Sequence, residues 1–231
     1  AYALDANTTG DRNNTLGYES LTKNTTGNNN SALGHAALKE NTTGENNVAI
    51  GFEALEKNTT GDSNVAVGQR ALDANTTANN NTAVGFEALK VNTTGARNIA
   101  VGNNSLDANT TASDNTAIGY SSLSANQTGI YNTAVGGLTL QSNTANNNSA
   151  FGFQALKLNT TGTGNNAFGI NALIYNTTGD FNCAFGNQSL LKNTTADNNT
   201  GFGTNTLKEN QTGSGNTAVG YEALVANTTA T

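Results

Sequence analysis

Proline, methionine and tryptophan are absent from this 231-residue chain, which has one cysteine and one histidine. Aromatic residues make up only 6% of it, so the bulky side chains that fill an ordinary globular core are scarce. Charged residues are also scarce, at 11%, which argues against a disordered, highly charged chain. What remains is low complexity with apolar residues at fixed positions, a combination typical of repeat proteins.

Charge and hydropathy exclude two classes of partner. Phosphate binding needs clustered basic side chains, whereas the ten Lys and Arg are scattered and the net charge is −6. We therefore expect no nucleic-acid partner. No apolar run approaches the length of a membrane span, and no signal peptide is visible. The single cysteine, Cys183, provides no disulfide framework.

A 17-residue unit fills the chain, and NTAVGFEALKVNTTGAR (residues 81–97) is one copy of it. Numbered from its first residue, the unit reads N-[TVS]-A-[VIFL]-G-x-x-[AS]-L-x-x-N-T-T-[GA]-x-x. The Asn at position 1, the Gly at position 5 and the Leu at position 9 are the same in all thirteen copies. We predict one uncapped array over residues 1–231, because no linker or change of composition interrupts it.

The pattern predicts an all-β fold, a parallel β-solenoid or β-roll of 17-residue coils. Each unit is too small to bury its own apolar face, so the units must stack in register at a spacing of about 4.8 Å. Positions 1–5 favour a short strand. Alternation then places position 4, such as Val84, in the core and the small position 3 on the opposite face. Either a partner packs on that small face, or Ala simply fits the inside of a tight bend.

Positions 6–11 leave two interpretations open. Segments such as FEALKV (residues 86–91) contain good helix formers, and a single helical turn closed by the following NTTG is one interpretation. The other is a second short strand whose Leu points inward. In both cases we expect position 9, for example Leu89, to be buried.

The Asn at position 12 begins an Asn-x-Thr sequence, which is an N-glycosylation acceptor on exposed loops. A structural alternative is that Asn and Thr columns form ladders along the stack. The candidate acceptors are Asn7, Asn24, Asn41, Asn58, Asn75, Asn92, Asn109, Asn126, Asn159, Asn176, Asn193, Asn210 and Asn227. Asn143 lacks the Thr, because the copy there is one residue short. Since surface loops absorb length changes, that deletion predicts that positions 12–17 lie outside.

The NTAVGxxALxxNTTG unit resembles repeats of bacteriophage tail-fibre and bacterial surface fibre proteins, over essentially the whole chain. Its NTAVG core is also similar to the NSVAIG repeat of trimeric autotransporter adhesin heads, in copies such as residues 115–119 and 132–136. These adhesin heads form a left-handed parallel β-roll. Both resemblances imply an extracellular or virion fibre, of a kind that is commonly trimeric, although the 17-residue period differs from that of the adhesins.

Catalysis requires a nucleophile, a base and a stabilising group that converge. His35 and Cys183 occupy variable repeat positions and are most simply tolerated substitutions, and no acidic pair recurs. We therefore expect no enzyme, no catalytic, cofactor-binding or metal site, and no cofactor. The chain is interpreted as a structural segment of an extracellular fibre, a surface filament or a phage fibre shaft. The alternative is an adhesin or ice- and surface-binding module that uses Thr and Asn ladders.

The expected partners are other copies of the chain, together with covalent glycans if the acceptors are used. An uncapped stack exposes strand edges, so we expect end-to-end association. Lateral association is expected through the small residues of positions 3 and 8.

Overall fold

A computed structural model describes residues 2–230, and the chain divides into two compact units, Ala1–Asp114 and Asn115–Thr231. Both units are all-β, with no helix in the described residues. Each repeat contributes one three-residue strand. The strands are β1 (Asn14–Leu16), β2 (Ser31–Leu33), β3 (Val48–Ile50), β4 (Val65–Val67), β5 (Thr82–Val84), β6 (Ile99–Val101), β7 (Thr116–Ile118), β8 (Thr133–Val135), β9 (Ser149–Phe151), β10 (Asn166–Phe168), β11 (Cys183–Phe185), β12 (Thr200–Phe202) and β13 (Thr217–Val219).

Consecutive strands pair in parallel and in register within each unit, β1 to β6 in the first and β7 to β13 in the second. Val67 lies beside Val84, and Val84 beside Val101, so each repeat position forms a column. The predicted parallel β-solenoid of 17-residue coils is confirmed.

The side of the strand that faces inward is the reverse of the prediction. Position 3 is buried in almost every coil, and Ala83 is 0% exposed. Position 4 faces outward: Val84 is half-buried and Leu33 is 46% exposed. The coil is so narrow that only an alanine-sized side chain fits inside the strand. Ala at position 3 therefore fits the inside of a tight bend, which was one of the two interpretations of this position. The prediction that position 4 lies in the core was wrong.

Positions 6–11 form neither a strand nor a helical turn. They make three overlapping turns, in which the amides of Ala37, Lys39 and Asn41 each donate to the carbonyl three residues back, at 3.5, 3.3 and 3.3 Å. These turns require positive φ at alternate residues, so Glu87 has φ 55° and Leu89 has φ 52°. The Gly at position 5 begins this path, and Gly85 has φ 133°.

The Leu at position 9 occupies the interior, as predicted. From Leu21 to Leu207 these leucines are 0% exposed, and they are the largest side chains that are fully buried. A leucine at positive φ costs roughly 1 kcal/mol or more. Burial of a whole Leu side chain contributes roughly 2 kcal/mol, so the packing offsets the backbone strain.

We predict that Leu89→Ala lowers the free energy of unfolding by about 2–4 kcal/mol, because it empties the interior of one coil. Val84→Ala, on the neighbouring strand, serves as the matched control and should cost less than about 1 kcal/mol, because Val84 faces outward. Urea unfolding followed by circular dichroism measures both. If Val84→Ala lowered the free energy of unfolding more than Leu89→Ala does, position 4 would belong to the core after all.

Candidate functional site

The interior holds two columns of asparagine that meet at one carbonyl in each coil. In the coil of residues 47–63, the Nδ2 of Asn47 donates to the carbonyl of Gly61 at 2.8 Å. The Nδ2 of Asn58 donates to the same carbonyl at 2.9 Å. Both asparagines are 0% exposed. The carbonyl at position 15 therefore uses both of its lone pairs, and the turn is closed from two sides.

Most of these asparagines also bond to their equivalents in the next coil. The Nδ2 of Asn58 donates to the Oδ1 of Asn41 at 2.8 Å, and the Oδ1 of Asn58 accepts from Asn75 at 2.9 Å. In the position-1 column the Oδ1 of Asn47 accepts from the backbone amide of Asn64 at 3.0 Å. These contacts are the Asn ladders that the repeat predicts as the alternative to glycosylation.

The ladder geometry bears on the candidate glycosylation sites without testing them. Eleven of the thirteen candidates, from Asn24 to Asn210, are 0% exposed, while Asn7 and Asn227 are partly exposed. A sugar on Nδ2 would replace a hydrogen that, in Asn58, donates to Asn41 or to Gly61. Glycosylation at these positions stays a prediction, and the buried amides favour the ladder alternative.

The short copy shows which residues lie outside. Asn143 is 0% exposed, donates to the carbonyl of Ala145 at 2.8 Å and accepts from Asn159 at 2.7 Å. Because the carbonyl of Ala145 takes the place of position 15, the missing residue is position 14, which is exposed in other coils. The deletion is thus at the surface, but the prediction that positions 12–17 are all outside was wrong. Positions 12 and 15 are interior.

Two columns of threonine lie outside the ladder. At position 13 the hydroxyl of each Thr donates to the backbone carbonyl of the next one, for example Thr42 to Thr59 at 2.9 Å. At position 14 the Thr is exposed, as at Thr60, and its hydroxyl has no hydrogen bond in the described structure. From residue 7 to residue 111 every copy reads NTT. Position 13 therefore has a structural role, whereas position 14 presents free hydroxyls to solvent.

The sequence interpretation missed an apolar surface, which is the outer side of the strands. We call the outward side chains of positions 2 and 4, flanked by those of position 6, the strand face. In the second unit it contains a stack of aromatic rings: Phe151, Phe168, Phe185 and Phe202 have successive centroid distances of 4.7, 4.3 and 5.6 Å. The outermost ring, Phe202, is 56% exposed. The signal for this face was the variety at position 4, because a packed position would not accept Val, Ile, Leu and Phe alike.

Several charged residues of the first unit lie at positions 7 and 10, where they form ion pairs such as Lys39–Glu19 at 2.6 Å and Arg70–Glu53 at 2.8 Å. The hydrogen bond from Lys39 lowers the pKa of Glu19. Burial, followed by repulsion from Asp73 and Glu53, raises the pKa of Glu56. Exposed pairs of this kind contribute little to stability.

His35 and Cys183 lie in different units. The imidazole of His35 stacks between the rings of Tyr18 and Phe52, at 5.4 and 5.1 Å. Cys183 is half-buried on the strand face, and burial raises the pKa of its thiol. A nucleophilic cysteine needs a lowered pKa, so Cys183 has the opposite environment.

Comparison of the chain with protein-family models, with curated proteins and with solved structures finds no match. Within residues 2–230 no three His, Cys, Asp or Glu side chains are grouped as metal ligands would be. Over the same range no helix is long and apolar enough to cross a membrane.

We predict that Asn58→Asp destabilises the fold by roughly 3 kcal/mol at neutral pH, since Asn41 and Gly61 each lose a donor and a charge is buried. The introduced carboxyl should have a raised pKa, because burial disfavours its charged form. Below that pKa its proton restores one donor, so the deficit should shrink as the pH falls.

Thermal unfolding at pH 7 and pH 4 measures this effect. Thr60→Ala, in the same turn, is the control and should change the stability by less than about 0.5 kcal/mol. Equal losses for the two variants would show that the amide ladder does not stabilise the coil.

Proposed function

We propose that this chain is a non-enzymatic structural segment of an extracellular fibre, either a surface filament or a phage fibre shaft. The observation that carries the proposal is the ladder that recurs within each unit: asparagine and threonine side chains of one coil bond to equivalent residues of the next. Asn41, Asn58 and Asn75 show this for the amide column, and Thr42 and Thr59 for the hydroxyl column. Such a stack can be lengthened by adding copies, and it supplies extent and stiffness without needing a reactive site.

The fibre role also accords with self-association. The two sides of a coil's ladder are complementary, because each coil pairs with its two neighbours through opposite sides. We propose that copies associate end to end in this way, and laterally through another surface. The predicted lateral contact through positions 3 and 8 was wrong, because Ala83 and Ala88 are 0% exposed and have no surface to offer.

Immunogold electron microscopy tests the extracellular role. Antibodies raised against the folded chain should label fibres on the outside of intact cells or virions. The same antibodies, absorbed with purified chain, should label nothing. Label that appears only after the cells are permeabilised would contradict the proposal.

The threonine columns support a second candidate, a face that binds ice or another ordered surface. Asn and Gly separate the threonines in sequence, but Asn58 and Gly61 point inward, so they do not interrupt the face. The outward residues Thr59 and Thr60 recur in adjacent coils as an uncharged lattice of methyl and hydroxyl groups.

Thermal hysteresis measures ice binding directly. The wild-type chain should show hysteresis, and Thr60→Lys should reduce it by placing a charged chain in the lattice. Gln69→Lys adds the same charge at an exposed position outside the threonine columns and should leave the hysteresis unchanged. If the wild-type chain shows none, this second candidate is excluded.

A further inference from the structure

The strand face of the second unit exposes an unusually large number of apolar side chains to solvent. Ile118, Tyr120, Phe153, Ile170 and Phe202 are 39–61% exposed. With a whole large side chain counted as roughly 200 Å², these five offer roughly 500 Å² of mainly apolar surface. The half-buried residues of the position-4 column add to that area. The total approaches the ~800 Å² per partner of a standard protein interface, and contiguous patches of this size mark interaction sites.

The face is also free of charge. None of the residues at positions 2, 4 and 6 of the second unit is Asp, Glu, Lys or Arg, although the chain as a whole carries a net charge of −6. Two copies that approach through any acidic region repel one another, whereas two strand faces bring no like charges together. The charge distribution therefore favours a partner that is itself uncharged and apolar on its contact surface.

The spacing of the side chains restricts the partner further. The rings of Phe151, Phe168 and Phe185 repeat at successive centroid distances of 4.7 and 4.3 Å, close to the spacing of the coils. Rows of side chains that repeat at the coil spacing fit between the rows of another surface that has the same repeat. The strand face of a second copy has that repeat by construction, and β-sheet faces pack at about 10 Å with their side chains interdigitated.

The rows also have a groove to enter. In the first unit, a groove of about 430 Å³ runs over β1 and β2 between the position-2 and position-4 columns. Ala32 forms part of its floor, and Leu16, Leu33 and Ile50 form one wall. Because the position-3 side chain points inward, only backbone lies between the outward rows of positions 2 and 4, and the row of another face can fill the space above it.

We propose that the strand face is the lateral contact between copies of this chain, and that its partner is the strand face of a second copy. This inference deepens the proposed fibre function and rests on it. It replaces the lateral contact expected at positions 3 and 8, and it gives the outward Phe column a role that folding does not require.

Light scattering after size-exclusion chromatography measures the association. The wild-type chain should have a mass that rises with concentration to at least twice 23.6 kDa. At each concentration the double variant Phe168→Glu/Phe185→Glu should have a lower mass than the wild type, because paired strand faces would then bury like charges. The control Tyr175→Glu alters an exposed aromatic residue at position 11, outside the strand face, and should associate like the wild type.

Cys183 provides a second measurement that needs no variant. It lies at position 2 of the strand face and is the only thiol of the chain. Its rate of alkylation by N-ethylmaleimide should fall at least several-fold as the chain concentration passes through the association range. A rise in mass with an unchanged alkylation rate would place the contact elsewhere and overturn the proposal.

The remaining outcomes are also decisive. The polysaccharide hydroxyethylcellulose is added as a competing ligand. If it slows the alkylation of Cys183 and a higher chain concentration does not, the aromatic column binds polysaccharide and the proposal is overturned. A chain that stays at 23.6 kDa at every concentration, yet is labelled on external fibres, would refute the face-to-face contact and leave the fibre function standing. Association with protection of Cys183, but with label only inside cells, would support the face-to-face contact and refute the extracellular fibre function.

Discussion

Two side-chain amides on one backbone carbonyl hold each coil closed, and the rest of the architecture depends on that node. The Gly61 carbonyl accepts from Asn47 and Asn58, and each of these asparagines continues to the next coil. An amide can do this because it donates and accepts on the same short side chain. A carboxylate only accepts, and a hydroxyl has a single donor hydrogen. A buried polar interior is affordable here only because these groups are paired.

The node also explains why so little apolar material suffices. The interior of a coil needs one leucine, such as Leu89, with Ala83 and Ala88 filling the space beside it. Hydrogen bonds between coils satisfy the backbone, so the stack does not need the aromatic core of a globular domain. The larger apolar side chains are consequently free to occupy the surface, where Phe168 and its neighbours form a stack of rings. The scarcity of large apolar residues and their position on the surface thus both follow from a narrow interior closed by hydrogen bonds.

The period alone predicted the parallel solenoid, the buried Leu89 and the asparagine ladders. It could not say which side of the strand faced inward, because alternation separates position 3 from position 4 without ranking them. Hydrophobicity favoured Val84, but constancy was the better guide: position 3 is Ala in eleven of thirteen copies, whereas position 4 accepts four side-chain shapes. The turns at positions 6–11 were not predictable from residue types, because Leu has no preference for the positive φ that Leu89 adopts.

If constancy marks the interior, then the threonine at position 14 is an exception that matters. It is as regular as the buried asparagines, yet Thr60 is exposed and only its backbone amide is bonded, to the carbonyl of Thr76 at 3.3 Å. Position 2, also outward on the stack, accepts Asn, Ser, Val, Ile, Cys and Thr. Side-chain hydrogen bonds within the fold therefore account for the asparagine of the Asn-x-Thr pattern, whereas at Thr60 they do not account for the threonine.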